Sequence, residues 1–170
     1  CKLVEDMVKD IRGKKSDPTI ETELDLMVKG FIPKDYVPDL NQRLDFYRRM
    51  QVASEYDEGL AIASELEDRY GPHPESVAKL LALLEIRMLC QRIHISKIEL
   101  KHNDACLHLL PSTAINPQIL TSLFDERLSM QSEYKIKIRL DRKGWKTDLK
   151  LVKNYLQKLA HSLLPVEEEN

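Results

Sequence analysis

The sequence predicts an α+β fold: a helical N-terminal half packed on a small, mostly antiparallel sheet, with a C-terminal helix. Three observations support this prediction. Apolar residues recur with helical spacing between residues 40 and 93 and again after residue 147. They alternate with charged residues in two other segments, 20–26 and 134–140, as expected for strands. Hydrophobic residues make up 42% of the 170 residues, which is enough for a substantial core.

Residues 1–16 are predicted to be the end of a helix followed by a linker. Apolar side chains in the first twelve residues have helical spacing, and Gly13 breaks that pattern. Because the chain begins with cysteine and not methionine, we expect this segment to arrive from an upstream domain of a longer protein. A single domain is predicted over residues 17–164, and residues 165–170 are expected to be a disordered tail.

The two alternating segments predict strands that are each buried on one side. In residues 20–26 the charged side is acidic and carries Glu21, Glu23 and Asp25. In residues 134–140 it is basic and carries Lys135, Lys137 and Arg139. Opposite charges on adjacent strands attract, so we expect the two strands to be neighbours in one sheet.

Three helices are predicted after the first strand. The first begins after Asp39, which stands three residues before Gln42 in the pattern of a reciprocal helix cap. Helical spacing places Leu40, Leu44, Tyr47 and Gln51 on one stripe of this helix, with Met50 beside it.

The second helix is expected from about Asp57 to Tyr70, with Gly71 at its end. The third begins with Pro74 at its first position and runs to about Ile93. It is apolar most of the way round, so we predict that it is the central buried helix.

The second half of the sequence predicts a hairpin, a short helix and a long helix. Residues 95–101 and 105–110 have strand character and flank a turn at 102–104. The short helix is expected from residue 116 to about 124. After the basic strand, the last helix begins at Thr147 and has leucines at helical spacing.

Charge is distributed unevenly along the chain, although the formal net charge is -2. Residues 16–75 contain fourteen acidic and six basic side chains, whereas residues 134–161 contain nine basic and two acidic ones. Such a split can mean a half that faces nucleic acid or two halves that pair with each other, although solvated faces with some internal complementarity are the commoner cause. Trp145 is the one aromatic residue interleaved with the cations of the last helix, which supports base stacking poorly.

Motifs for catalysis and cofactor binding are absent from the sequence. None of the five glycines forms a phosphate-binding loop. His102, Cys106 and His108 are the best candidate metal ligands, but they lack the spacing of known sites. The three cysteines are odd in number and far apart, which favours a reducing compartment over a disulfide framework. We therefore predict no catalytic residue, no metal site and no cofactor in this chain.

The most polar stretch of the chain, SELEDRYGPHPE at residues 64–75, raises the question of an acid–base site. A helical wheel groups Glu65, Asp68 and Arg69 on one exposed patch, directly opposite an apolar side formed by Leu60, Ala63, Leu66 and Tyr70. Catalytic carboxylates need a concave, partly desolvated setting, which a convex helix face does not provide. The patch is therefore predicted to be a contact surface for another protein domain.

Three stretches together resemble a known family: PTIETELDL at 18–26, FIPKDYVPDLNQRLDFYRR at 31–49 and ELEDRYGPHPE at 65–75. They are similar to the C-terminal (TRCF) domain of the bacterial transcription-repair coupling factor. The resemblance covers about residues 17–110, with weaker similarity to the end of the chain.

The resemblance implies a parent protein that is a large ATP-driven DNA translocase of the bacterial cytoplasm. Its upstream motor domain would bind ATP and Mg²⁺. The parent would remove stalled RNA polymerase from double-stranded DNA and recruit the damage-recognition ATPase of nucleotide excision repair.

The resemblance also implies a non-catalytic, autoinhibitory role for this domain. It would dock on the N-terminal module of the same parent and mask the surface that binds the repair protein. The family's latch residues correspond to Glu65, Asp68 and Arg69. The alternative left open is an accessory domain that contacts nucleic acid through strand 134–140 and the last helix.

Overall fold

The structure is a computed structural model that describes residues 21–113 and 117–162. The predicted helix tail and linker at 1–16, the predicted tail at 165–170 and the last residues of the predicted final helix lie outside the described residues. The described residues form five helices and five strands, which confirms the predicted α+β class.

A five-stranded mixed sheet forms one layer of the fold. Its strands are β1 (Glu23–Asp25), β2 (Ile95–Lys101), β3 (Asp104–Leu109), β4 (Leu128–Ser132) and β5 (Lys135–Arg139). Their order across the sheet is β1-β2-β3-β5-β4. β1 is parallel to β2, and all other neighbours are antiparallel, so the sheet is mostly antiparallel as predicted.

The prediction that the acidic and basic strands are neighbours is wrong. β2 and β3 lie between the acidic β1 and the basic β5, because the hairpin formed by β2 and β3 occupies the centre of the sheet. The charges are matched locally instead. Lys97 Nζ lies 3.9 Å from Glu23, and Arg139 Nε lies 3.2 Å from Asp104 on β3.

Within the described residues, five helices accompany the sheet, and the third and fifth of them pack against its apolar face. Their bounds are α1 (Leu40–Val52), α2 (Tyr56–Tyr70), α3 (Glu75–Arg92), α4 (Pro117–Leu123) and α5 (Trp145–Ser162). Asp39 caps α1 by accepting hydrogen bonds from the amides of Asn41 (2.8 Å) and Gln42 (3.4 Å). Gly71 ends α2 with a φ of 94°, a backbone angle that residues with a Cβ rarely adopt.

The buried face of α1 differs from the predicted stripe. Phe46 and Met50 are buried, whereas Leu40 and Leu44 are 58% and 46% exposed. Phe46 and Met50 stand four residues apart and therefore share a face. The larger apolar area of the aromatic ring favours burial of that face over the leucine face.

Two hydrophobic clusters meet along α3. One joins the inner face of the sheet to α3 and α5 and contains Ile86 and Cys90. The other joins α1, α2 and residues 32–37 to α3 and contains Val77 and Met88. Helix α3 therefore contributes buried side chains to both clusters, which confirms its predicted central position.

Candidate docking surface

The three predicted latch residues lie on α2, but not all on its outermost side. The buried residues of α2 are Gly59, Ile62 and Leu66, and Leu60 is 50% exposed. The buried face is thus rotated relative to the predicted one, because α1 packs beside α2 and the side chain of Leu60 does not enter that contact. Glu65 and Arg69 border the buried face and do not lie directly opposite it.

Glu65 is held by two arginines. Its Oε1 accepts a 2.8 Å hydrogen bond from Arg49 of α1, and its Oε2 accepts one of 2.8 Å from Arg69, one turn along α2. These hydrogen bonds, first that from Arg49 and then that from Arg69, hold the pKa of Glu65 below its usual value. The Glu65 carboxylate is therefore ionised and fixed in orientation, and it joins two helices.

Arg69 connects this pair to an aromatic cluster. Its guanidinium donates a hydrogen bond to the side-chain carbonyl of Gln42, which also accepts one from the Tyr70 hydroxyl at 3.0 Å. The same guanidinium lies 5.8 Å from the ring centre of Phe46 and 5.2 Å from that of Tyr70. Cation–π contact and hydrogen bonding together restrict the position of Arg69.

Asp68 differs from the other two residues because it is exposed and has no hydrogen-bond or salt-bridge partner within residues 21–113 and 117–162. Of the three predicted latch residues, Asp68 is thus the one whose carboxylate can accept all of its hydrogen bonds from another molecule. The surface formed by Arg49, Glu65, Asp68 and Arg69 is called the charged patch below.

The C-terminal end of α2 is fixed by Tyr36 and His73. The Tyr36 hydroxyl donates to the carbonyls of Leu66 (3.1 Å) and Gly71 (2.8 Å), and burial raises the pKa of this hydroxyl. The His73 ring nitrogen Nε2 lies 2.9 Å from the carbonyl of Ala63. The Gly71 carbonyl lies beyond the last carbonyl that accepts a hydrogen bond within the helix, so Tyr36 supplies its donor. The contacts to Leu66 and Ala63 attach the last turns of α2 to the residues on either side of it in the chain.

Sequence reasoning missed Arg49 and Gln42 as members of this surface. Arg49 lies off the stripe that helical spacing predicts for α1, and the sequence pattern predicts Gln42 as part of a reciprocal cap of α1. Asp39 caps α1 as predicted. The side-chain carbonyl of Gln42 instead accepts hydrogen bonds from Arg69 and Tyr70 of α2. The available signal was the spacing of Gln42 and Arg49, which stand seven residues apart and share a helix face.

The residues of the nucleic-acid hypothesis do not form one surface with the last helix. Lys135, Lys137 and Arg139 alternate with the buried Ile136 and Ile138, so they lie on the open face of the sheet. Helix α5 packs against the opposite, apolar face. Arg139 is also paired with Asp104 at 3.2 Å.

The open sheet face contains a second ionic network. Glu99 Oε2 lies 3.0 Å from His108 Nε2, and Lys97 Nζ lies 3.4 Å from Glu99 Oε1. These contacts, His108 first, lower the pKa of Glu99. Cys106 lies on the same strand face as His108, and burial raises the pKa of its thiol, which disfavours the reactive thiolate.

Within the described residues, no three histidine, cysteine or acidic side chains are grouped closely enough to hold a metal ion. Cys90 is buried in α3, where desolvation raises the pKa of its thiol strongly. Searching the same residues for a helix with the length and apolarity of a bilayer-spanning segment finds none.

Comparison with known proteins gives consistent matches. A family model described as the TRCF domain matches residues 26–120. The transcription-repair-coupling factor of Escherichia coli (strain K12) is 26% identical over 171 residues, covering 95% of this chain and 15% of that protein. The factor of Myxococcus xanthus is 42% identical over 90 residues, covering 52% of this chain and 8% of that protein. The chain thus spans a small part of the length of these relatives.

A solved structure is similar in fold. It is described as the crystal structure of the C-terminal domain of transcription-repair coupling factor. The match has a TM-score of 0.77 and 18% sequence identity, and it covers 86% of this chain and 96% of that one.

Proposed function

Because the chain belongs to the TRCF domain family and is a C-terminal domain of a transcription-repair coupling factor, we propose that it is a non-catalytic, autoinhibitory docking domain. It docks on the N-terminal module of its own parent chain and masks the surface that recruits the damage-recognition ATPase. The parent acts in the bacterial cytoplasm as an ATP-dependent translocase on double-stranded DNA, with ATP and Mg²⁺ in its upstream motor domain. It removes stalled RNA polymerase from the DNA.

The observation that carries this proposal is the charged patch, whose side chains join α1 to α2. Arg49 and Arg69 hold Glu65 at 2.8 Å each, while the neighbouring Asp68 is exposed. Ordered charges at the border of an interface select partner and orientation more than they add affinity. A partner in the same chain has a high effective concentration, so a contact of this kind can be both populated and releasable.

Charge reversal in the full-length parent tests the proposal. Asp68→Lys is the sharpest variant, because Asp68 has no partner among the described residues and its replacement leaves the Arg49–Glu65 contact in place. Combined reversal at Glu65, Asp68 and Arg69 is the stronger version. Both are expected to increase binding of the damage-recognition ATPase in the absence of polymerase, because the masked surface becomes accessible.

A matched control is Glu126→Lys, an exposed reversal in the turn before β4 and outside α1 and α2. It is expected to leave ATPase binding unchanged. If the Asp68 and triple variants bind the ATPase as weakly as the wild-type parent does, the patch is not the latch.

The nucleic-acid alternative makes a different prediction for the isolated chain. Binding through Lys135, Lys137 and Arg139 would be strongest at low salt and would fall steeply as salt rises. Since Arg139 is paired with Asp104 and α5 lies on the other side of the sheet, we expect no mobility shift of duplex or single-stranded DNA even at low salt. A salt-dependent shift that Lys137→Glu abolishes would favour the alternative.

A further inference from the structure

Two side chains of α1 hold two of the predicted latch residues of α2. Arg49 donates a hydrogen bond of 2.8 Å to Oε1 of Glu65. The side-chain carbonyl of Gln42 accepts hydrogen bonds from the Arg69 guanidinium and, at 3.0 Å, from the Tyr70 hydroxyl. Arg49 and Gln42 stand seven residues apart and therefore share the face of α1 that meets α2. The latch residues are thus oriented by a helix that contains none of them.

The buried ring of Phe46 on α1 contacts both arginines that bind Glu65. The Arg49 guanidinium lies 5.2 Å from the centre of this ring, and the Arg69 guanidinium lies 5.8 Å from it. Each arginine also donates a hydrogen bond of 2.8 Å to a different oxygen of Glu65. Cation–π contact and hydrogen bonding together restrict the rotamers of both guanidinium groups.

The contacts from α1 order side chains that would otherwise be ordered only when a partner binds. Long side chains lose rotamer freedom in an interface, and that loss weakens binding. Glu65 and Arg69 have already lost part of this freedom, although their side chains are still 34% and 42% exposed. Each carboxylate oxygen of Glu65 has a second lone pair that can accept a further hydrogen bond. The contacts therefore prepare Glu65 for a partner without using all of its acceptor capacity.

We propose that Arg49 and Gln42 are positioning residues of the docking surface. They strengthen docking by fixing Glu65 and Arg69, and not through contacts of their own with the N-terminal module. The inference rests on the proposed docking function. It assigns the contacts with the module to α2 and the control of their geometry to α1.

The test uses the full-length parent with Arg49→Ala and Gln42→Ala as single variants. The matched controls are Arg48→Ala and Asn41→Ala, because each replaces the exposed neighbour of a positioning residue. The side chain of Arg48 is 70% exposed and lies 3.8 Å from Asp45 of its own helix. Thermal melting of each variant checks that the fold is retained.

The readout is the apparent affinity of the damage-recognition ATPase in the absence of polymerase. Loss of a positioning contact weakens docking and increases the fraction of open parent, and apparent affinity rises in proportion to that fraction. We expect about threefold to tenfold tighter binding for Arg49→Ala and for Gln42→Ala. The two control variants should bind the ATPase as the wild type does.

A double variant separates positioning from a direct or purely structural role. If Arg49 acts through Glu65, Arg49→Ala should change the affinity no further in a parent that already carries Glu65→Ala. Direct contact of Arg49 with the module, or loosened packing of α1 on α2, would add to the effect of Glu65→Ala. Arg49→Lys retains a cationic donor for Glu65, so it should return ATPase binding towards the wild-type level.

The outcomes separate the positioning role from the docking function. If Asp68→Lys increases ATPase binding and a positioning variant does not, the assignment of that residue is overturned and the docking function stands. If none of these variants increases binding, the docking function is overturned, and the positioning role with it. Equal increases from Arg48→Ala and Asn41→Ala, or additive effects of Arg49→Ala and Glu65→Ala, would also overturn the positioning role.

Discussion

At the scale of single residues, the charged patch depends on side chains that orient one another. Glu65 is bound by Arg49 and Arg69, and Arg69 also contacts Gln42. The charges on α2 were predictable from the sequence, because a helical wheel needs only local spacing. The partners Arg49 and Gln42 were not, because they approach from α1 through packing that the wheel of one helix does not include.

The ionised state of Glu65 predicts a pH dependence of stability. Its pKa is lower in the folded chain, because Arg49 and then Arg69 donate hydrogen bonds to the carboxylate. The stabilisation that the ionised Glu65 provides is therefore fully present above its pKa in the unfolded chain, about 4.3. It is lost as the pH falls through the lower pKa of Glu65 in the folded chain. We expect the melting temperature of the wild type to exceed that of Glu65→Gln near pH 7, and the two melting temperatures to converge as the pH is lowered to 3. A constant difference at all pH values would contradict this role.

Position 30 requires glycine because a Cβ there would have no space, and not because of the backbone conformation. A Cβ at this position would lie 2.2 Å from the backbone nitrogen of Leu80 in α3, which cannot move without displacing the helix. Gly30→Ala should lower the free energy of unfolding by about 1–3 kcal/mol in urea denaturation. Gly59→Ala is the comparison, since its Cβ would meet the flexible end of Met88 at 2.7 Å and alanine favours the helix by about 1 kcal/mol. Equal losses for both variants would argue against the close approach at Gly30.

At the scale of elements, the sequence predicted helices more reliably than their faces. The bounds of α2 and α3 agree closely with the predicted ones, because Gly71 and Pro74 are strong local signals. The exposed side of α1 was not predicted, since the leucine pattern and the Phe46–Met50 pattern both have helical spacing. Strand β4, LSMQS, was missed because it lacks the strict alternation seen in β1 and β5.

Helix α3 also fixes the end of α1 through Arg87. Its guanidinium donates to the carbonyls of Met50 (2.5 Å) and Ala53 (3.4 Å), and burial lowers its pKa. Arg87→Ala should lower the free energy of unfolding by about 1–3 kcal/mol, because two carbonyls lose a charged donor. Arg92→Ala on the exposed end of the same helix should change it by less than about 0.5 kcal/mol. Chemical denaturation of both variants measures the difference, and a negligible effect of Arg87→Ala would show that water replaces the contact.

At the scale of the whole molecule, one helix joins two clusters with different roles. The cluster around the sheet, α3 and α5 is the larger one, and the cluster around α1 and α2 positions the charged patch. The sequence predicted the fold class and the central helix, because both follow from periodicity. It did not predict the strand order, because pairing of β1 with β2 joins residues more than seventy positions apart.

Docking on the N-terminal module of the parent is the function that we propose for this chain. The most direct measurement is calorimetric titration of the 170-residue chain with that module, supplied as a separate protein. We predict saturable binding that weakens with salt and is reduced by Asp68→Lys but not by Glu126→Lys. Absence of binding at low salt by a chain that melts cooperatively would contradict the claim.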